Sequence, residues 1–184
     1  MSDTMTNGVP AAKSGVPAAK ETEDARGDAH ARQVVRVDAG VADSVDWQRL
    51  WLAAQRTAWR TLALIPIGEG LATPRLAAAL AEVGRRHLGG TVVALDATKV
   101  SLSTLRSELS ALTESARCAE RAIVALPPLL GSPACLEIAR AADAALLCIE
   151  LGSSAAAEAE QILEEVGRLR VIGSVIVRRR KESR

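Results

Sequence analysis

The sequence has no tyrosine and no phenylalanine, and apart from two histidines its aromatic side chains are the indoles of Trp47, Trp51 and Trp59. The lack of tyrosine excludes any chemistry on a tyrosine of this chain. Three indoles are too few for an aromatic platform on which nucleic-acid bases would stack. The formal net charge is +1 with both signs interspersed, whereas nucleic-acid-binding domains show a basic excess. We therefore expect no nucleic-acid partner.

Long apolar runs and paired cysteines are also missing. No stretch approaches the roughly 18 uninterrupted apolar residues that span a bilayer, and the polar start at Met1 lacks the apolar core of a signal peptide. Cys118, Cys135 and Cys148 form no Cys-x-x-Cys pair, which argues against a zinc site or a disulfide framework. The expectation is a cytoplasmic chain that reaches a membrane only through a partner, without a metal site and with reduced cysteines filling its core.

Composition divides the chain into four parts. Residues 1–32 are rich in Ala, Pro and Lys and contain the hexapeptide Gly-Val-Pro-Ala-Ala-Lys twice, so a disordered tail is predicted because little apolar area is available to offset its ordering entropy. Residues 33–60 are predicted to form an amphipathic linker, with a short strand over 33–37 and a helix over 46–57. Residues 61–178 form the main domain, and residues 179–184 form a basic C-terminal end.

Apolar runs alternate with helical patterns from residue 61 onwards. Strands are predicted over 61–67, 90–95, 122–126, 144–151 and 171–177, and helices over 73–87, 102–116, 132–141 and 154–169. This alternation is typical of an α/β fold with a doubly wound, mostly parallel sheet flanked by helices. Ligands of such folds bind at the carboxyl ends of the strands.

The most informative of these strand ends is the turn that follows the first strand, which reads Gly68-Glu69-Gly70-Leu71-Ala72-Thr73. A phosphate-binding loop needs glycines for close backbone approach, a lysine for the β- and γ-phosphates and a hydroxyl for Mg²⁺. Leu71 stands where the lysine is needed, and Arg75 is the nearby cation that remains. Two interpretations stay open, a binding loop for anions and a purely structural turn in which Thr73 caps the next helix.

Two further strand ends contribute candidate residues. Asp96 follows the second strand, where a carboxylate either holds a Mg²⁺-bound water or caps the next loop. Ala125 lies at the end of the third strand, where a working ATPase carries an aspartate for the metal. Pro127 and Pro128 follow and restrict the chain sharply. This region is therefore a degenerate counterpart of a metal-binding strand end.

Segments 65–81, 91–96 and 122–177 together resemble the cytoplasmic domain of bacterial tyrosine kinases of the capsular and exopolysaccharide type. These kinases are a branch of the deviant P-loop family that includes MinD and ParA. The resemblance places Leu71 and Ala72 at the lysine and hydroxyl positions and Ala125 at the metal-binding aspartate. It also aligns the helix beginning near Asp46 with the assembly helix of that family and its Glu-x-x-Arg-x-x-Arg pattern, which Asp46 and Arg49 match approximately and Leu52 does not.

The resemblance implies a P-loop NTPase-like fold with a degenerate nucleotide site and no enzymatic activity. It implies a pseudo-kinase that docks on a membrane-embedded polysaccharide co-polymerase, or chain-length regulator, with self-association left open. No cofactor is expected, although weak ATP or ADP binding stays open. Trp47 and Trp51 are candidates either for the partner contact or for burial against the domain itself.

Two alternative functions remain at this point. The first is a nucleotide- or anion-binding switch that uses the amides of Gly68 to Gly70 with Arg75 and Lys99. The second is a positioning protein similar to MinD or ParA.

Overall fold

The computed structural model describes residues 43–151 and 156–178. The predicted tail over 1–32, the predicted strand over 33–37 and the basic end over 179–184 lie outside these residues. In chain order the elements are α1 (Val45–Ala54), β1 (Thr61–Ile67), α2 (Thr73–Leu88), β2 (Val92–Asp96), α3 (Leu105–Cys118), β3 (Arg121–Ala125), a 3-10 turn (Leu129–Gly131), α4 (Pro133–Ala141), β4 (Ala144–Glu150), α5 (Ala156–Val166) and β5 (Val171–Val177).

The five strands form one parallel sheet with the order β2-β3-β1-β4-β5. One apolar cluster joins α1 and α2 to one face of the sheet, and a second joins α3, α4 and α5 to the other face. The prediction of a doubly wound α/β fold is therefore confirmed. β1 lies at the centre, which explains why it reads as a continuous apolar run, buried from Leu62 to Ile67.

Most predicted elements form within a few residues of the expected bounds, and the start of α3 is among the bounds that differ most. This helix was predicted from residue 102 but begins at Leu105. The Thr104 hydroxyl accepts a hydrogen bond from the Ser101 N–H at 3.1 Å, and the Thr104 N–H donates to the Ser101 carbonyl at 3.1 Å. Serine and threonine hydroxyls that bond nearby backbone stabilise a turn in place of helix.

An aromatic cluster attaches α1 to the domain. The rings of Trp51 and Trp59 meet edge to face with centroids 5.9 Å apart, and the Trp59 Nε1–H donates to the Ala54 carbonyl at 2.8 Å. Trp51 also lies directly on α2 at Gly84, where an added Cβ would be 2.6 Å from the indole. The absence of a side chain at position 84 therefore allows the close approach of the two helices.

Two of the three cysteines are core residues, as predicted, and the third is not. Cys135 and Cys148 are buried, and burial raises the pKa of the Cys148 thiol to about 12. Cys118, the last residue of α3, is exposed. Among the described residues, no helix has the length and apolar character that crossing a membrane requires.

Asp143 connects the starts of β1 and β4. Its Oδ2 accepts hydrogen bonds from the N–H groups of Arg60 (2.9 Å) and Thr61 (2.8 Å) and from the Thr61 hydroxyl (2.9 Å). Desolvation raises the pKa of this carboxyl, but the hydrogen bonds from Thr61 and Arg60 outweigh it and hold the pKa below its ordinary value. The carboxylate thus fixes the amino-terminal edge of the sheet.

We expect Asp143→Asn to destabilise the fold by about 1 kcal/mol at neutral pH, the low end for charged hydrogen bonds because the side chain is solvent-accessible. Since the folded-state pKa lies below the unfolded value of about 3.9, the carboxylate stabilises the fold above that value, and this contribution is lost as the pH falls through the folded pKa. Urea unfolding at pH 7 and at about pH 3 measures the difference. The variant should lose less stability on acidification than the wild type.

Glu137→Gln is the control, because the Glu137 carboxylate makes an exposed pair with Arg140 of the same helix at 3.2 Å. The role assigned to Asp143 is contradicted if both variants show the same pH dependence.

Candidate nucleotide-loop site

The candidate site lies where the connections that follow two neighbouring strands leave the sheet on opposite faces. β1 leads into α2 on one face, whereas its neighbour β3 leads into α4 on the other face. Such a divergence opens a crevice at the carboxyl ends of the strands, which is the usual ligand position of this architecture. The loop of residues 68–72 begins directly after β1 and therefore lies at this crevice.

The two glycines of the loop are there for their backbone conformation. Gly68 and Gly70 have φ values of 80° and 92°, a region that residues with a Cβ rarely adopt. An added Cβ at Gly68 would meet nothing within 4 Å, so space is not the reason for that glycine. The loop leads into a helix of 16 residues whose N-terminus carries partial positive charge.

Thr73 does not cap α2 as the sequence suggested. Ala72 occupies the N-cap position and no side-chain capping bond forms. The Thr73 hydroxyl, which is 1% exposed, donates instead to the Leu126 carbonyl at 2.7 Å. It therefore ties the start of α2 to the end of β3.

Pro66 explains why the Leu126 carbonyl accepts a side chain. The Leu126 N–H donates to the Leu64 carbonyl at 3.1 Å, and in a parallel ladder the next bond would run from the N–H of residue 66 to the Leu126 carbonyl. Proline has no N–H to donate. The hydroxyl of Thr73 supplies the missing donor, so its single hydrogen is used within the protein.

We predict that Thr73→Val destabilises the fold by about 1–3 kcal/mol, because the change is nearly isosteric and leaves the buried Leu126 carbonyl without this donor. The control is Thr113→Val. The Thr113 hydroxyl also donates to a backbone carbonyl at 2.7 Å, that of Leu109, but on an exposed helix face. Chemical denaturation should separate the two variants, and equal effects would contradict the special role of Thr73.

Leu71 is turned toward the protein core. Its side chain is half-buried and packs against the apolar cluster formed by α1, α2 and the sheet. Ala72 and Arg75 are exposed beside it, as is Glu69. The residue at the lysine position therefore contributes to packing, and its aliphatic side chain has no donor for a phosphate.

Asp96 ends β2 and is engaged with its own loop. Its Oδ1 accepts hydrogen bonds from the N–H of Thr98 at 2.9 Å and from the Thr98 hydroxyl at 2.7 Å. This is the geometry of a loop-capping aspartate, one of the two interpretations of this residue. Asp96 also lines a cleft of about 300 Å³ along the open edge of β2 between α2 and α3.

The end of β3 lies beside Asp96 in the neighbouring strand β2. Ala125 is paired in register with Asp96 and is fully buried, and the half-buried Pro127 and Pro128 carry the chain into the 3-10 turn. Lys99 is exposed on the loop after β2. Within residues 43–151 and 156–178, no group of three or more His, Cys, Asp or Glu side chains is arranged to hold a metal ion.

The two candidate tryptophans have different environments. Trp51 is 1% exposed, so it is a core residue and its assignment as a partner contact is wrong. The apolar side of α1 faces the sheet, and Trp51 lies on that side. Trp47 is half-buried at the wall of a groove beside β5.

The contact among Pro66, Thr73 and Leu126 was missed by sequence reasoning. A proline inside an otherwise ideal central strand was the available signal, because it creates an acceptor that another element must satisfy.

Comparison with solved structures identifies the fold. The chimerical protein CapA2B2 matches with a TM-score of 0.57 and 11% identity over 74% of this chain and 84% of that one. The VpsO kinase domain matches with a TM-score of 0.57 and 13% identity over 77% and 94%. The kinase domain of the Escherichia coli tyrosine kinase ETK matches with a TM-score of 0.56 and 15% identity over 73% and 74%.

This chain therefore has the fold of bacterial tyrosine kinase domains, as its sequence motifs suggested. Identities of 11 to 15% establish the fold alone. Neither a known protein family nor a curated protein matches the sequence.

Proposed function

We propose that this chain is a non-catalytic, pseudo-kinase-like protein of exopolysaccharide or capsule biosynthesis or export. In this proposal it is cytoplasmic and docks on a membrane-embedded polysaccharide co-polymerase. The observation that carries the proposal is the packing of Leu71 against the core at the position where a phosphate-binding lysine is needed. The fold shared with tyrosine kinase domains supplies the biological setting.

The chemistry of phosphoryl transfer supports the non-catalytic part. This reaction depends on electrostatic stabilisation of the transferred group by a lysine, a metal ion and its ligands. Leu71 has no charge, Ala72 has no hydroxyl, and Ala125 is a buried methyl group beside Asp96. The hydroxyl of Thr73 is already bonded to the protein.

The docking part is supported by an exposed surface of α1. Val45 and Leu52 are 56% and 58% exposed, and their spacing of seven residues places them on one side of the helix with the exposed Arg49 between them. Apolar side chains rimmed by charge are typical of protein contact sites. We assign the co-polymerase contact to this outer face of α1.

We predict no ATP hydrolysis and no phosphoryl transfer above the buffer rate. The assay is a coupled ADP-release measurement with MgATP on the purified protein and on Asp96→Ala, which removes the carboxylate at the end of β2. Turnover in the wild type that disappears in Asp96→Ala would overturn the proposal.

A nucleotide- or anion-binding switch is the second candidate, favoured by the left-handed φ values of Gly68 and Gly70 before the N-terminus of α2. Titration calorimetry with ATP and ADP distinguishes the two functions. Heat that is lost in Gly70→Ala would support the switch, and absence of heat at millimolar nucleotide would reject it.

We predict that Leu52→Asp abolishes co-purification with the co-polymerase encoded in the same cells, because it replaces one of the two exposed apolar side chains of the α1 surface with a charge. The measurement is capture of the tagged co-polymerase from detergent-solubilised membranes. Leu169→Asp is the control, since Leu169 is fully exposed in a turn before β5. Equal capture of both variants would contradict the assigned surface.

A further inference from the structure

The outer edge of β2 carries backbone groups that do not pair within the sheet. β2 pairs with β3 on one side, and among the strands in the described part of the chain none pairs with its other side. The Thr91 carbonyl accepts hydrogen bonds from the start of β3, and the Ala97 N–H donates to the end of β3 at 2.9 Å. Because successive residues of a strand alternate in direction, the N–H and C=O groups of Val92, Ala94 and Asp96 point outwards.

A side chain of α2 already binds one of these outward groups, which confirms their direction. The Val92 carbonyl accepts a hydrogen bond from Nη1 of Arg85 at 2.9 Å. Ala94 and Asp96 are exposed, so the carboxyl half of the edge is accessible. An accessible strand edge is a template to which an extended chain adds through main-chain hydrogen bonds.

This edge lies in a cleft of about 300 Å³ between α2 and α3. We call this space the β2 cleft. Apart from Arg85 and Glu114, its lining outside the strand is small, and it comprises Pro74, Ala77, Ala78, Ser115, Cys118 and Ala119. The small side chains leave space beside the strand on both of its faces. A cavity of about 150 Å³ admits benzene, so the cleft has room for a few small side chains.

The position of the two helices favours a single extended chain in the β2 cleft over a second copy of the protein. In a second copy, helices cover both faces of the sheet to which β2 belongs. Those helices cannot enter the space between α2 and α3 of the first copy. A chain segment without attached helices can enter it.

The charges of the lining indicate the chemistry of that segment. Asp96 and Glu114 contribute carboxylates, and Arg85 contributes the cation. The Arg85 guanidinium binds Glu82 of its own helix, so its charge is offset within α2. Glu114 pairs with Arg117 at 3.3 Å, but the two side chains are 62% and 73% exposed, and such a pair contributes little. The cleft is therefore complementary to a basic segment.

We propose that the β2 cleft binds an extended, basic segment of another protein, which adds to β2 as a further strand. The main chain of the segment pairs with Ala94, and its small side chains alternate towards α2 and α3. Its Lys or Arg side chains lie towards Asp96 and Glu114. No residue of α1 lines the cleft, so this site is separate from the surface assigned to the co-polymerase and does not depend on it.

The probe is a fluorescently labelled peptide, Lys-Val-Ala-Val-Ala-Lys, which is titrated into the full-length chain and followed by fluorescence anisotropy. One control peptide has Glu in place of both Lys residues. A second keeps the Lys side chains but has N-methylated backbone amides, which cannot donate to a strand.

The protein variant is Ala94→Pro. It removes an outward N–H and keeps the bonds to β3, since an edge strand tolerates proline where the nitrogen faces away from the sheet. Ala94→Ser is the matched control, because it retains the N–H. Glu114→Lys tests the charge.

We expect saturable binding of the Lys peptide. Binding should be at least about tenfold weaker for the N-methylated peptide and for Ala94→Pro, because main-chain hydrogen bonds are lost, whereas Ala94→Ser should match the wild type. Glu114→Lys should weaken binding of the Lys peptide and strengthen binding of the Glu peptide.

The proposal is overturned if the Lys peptide shows no saturable binding at millimolar concentration, if the N-methylated peptide binds equally well, or if the Glu peptide binds the wild type more tightly. Sedimentation that shows a wild-type dimer and an Ala94→Pro monomer would also overturn it, because a second copy would then occupy the edge. If Ala94→Pro unfolds, the comparison of the two Lys peptides on the wild type decides the question.

Discussion

The central position of β1 is the constraint on which the rest of the structure depends. β1 pairs with strands on both sides and is covered by helices on both faces, so each of its side chains from Leu62 to Ile67 is buried. A strand in this position requires an almost unbroken apolar sequence. Its position also determines where the loop of residues 68–72 lies, because the connections after β1 and β3 leave the sheet on opposite faces at this end.

The loop of residues 68–72 and its neighbours make several contacts within the protein itself. Glycines in left-handed conformations shape the turn, and three of the groups near it contact the protein. Leu71 contributes to the core, the Thr73 hydroxyl satisfies a backbone carbonyl, and Asp96 bonds its own loop. These three groups are therefore engaged within the protein, whereas Arg75 and Lys99 are exposed.

The sequence was sufficient for the order and type of the elements because their apolar periods are regular and their lengths are ordinary. It also located the loop and the substitutions within it. It did not reveal which acceptor Thr73 serves, because that contact joins residues 53 positions apart and depends on the register of β1 against β3. The burial of Trp51 was likewise undetermined, since a helical stripe shows that one face is apolar but not what covers it.

The close contact between Trp51 and Gly84 links two positions that are far apart in the sequence. An indole lies where any side chain at position 84 would have to lie. Sequences that carry this helix pair are therefore expected to vary at the two positions jointly, with a larger residue in α2 accompanied by a smaller one in α1. In an alignment of related sequences, such joint variation in residue size would distinguish chains in which α1 packs on α2 in this way from chains in which it does not.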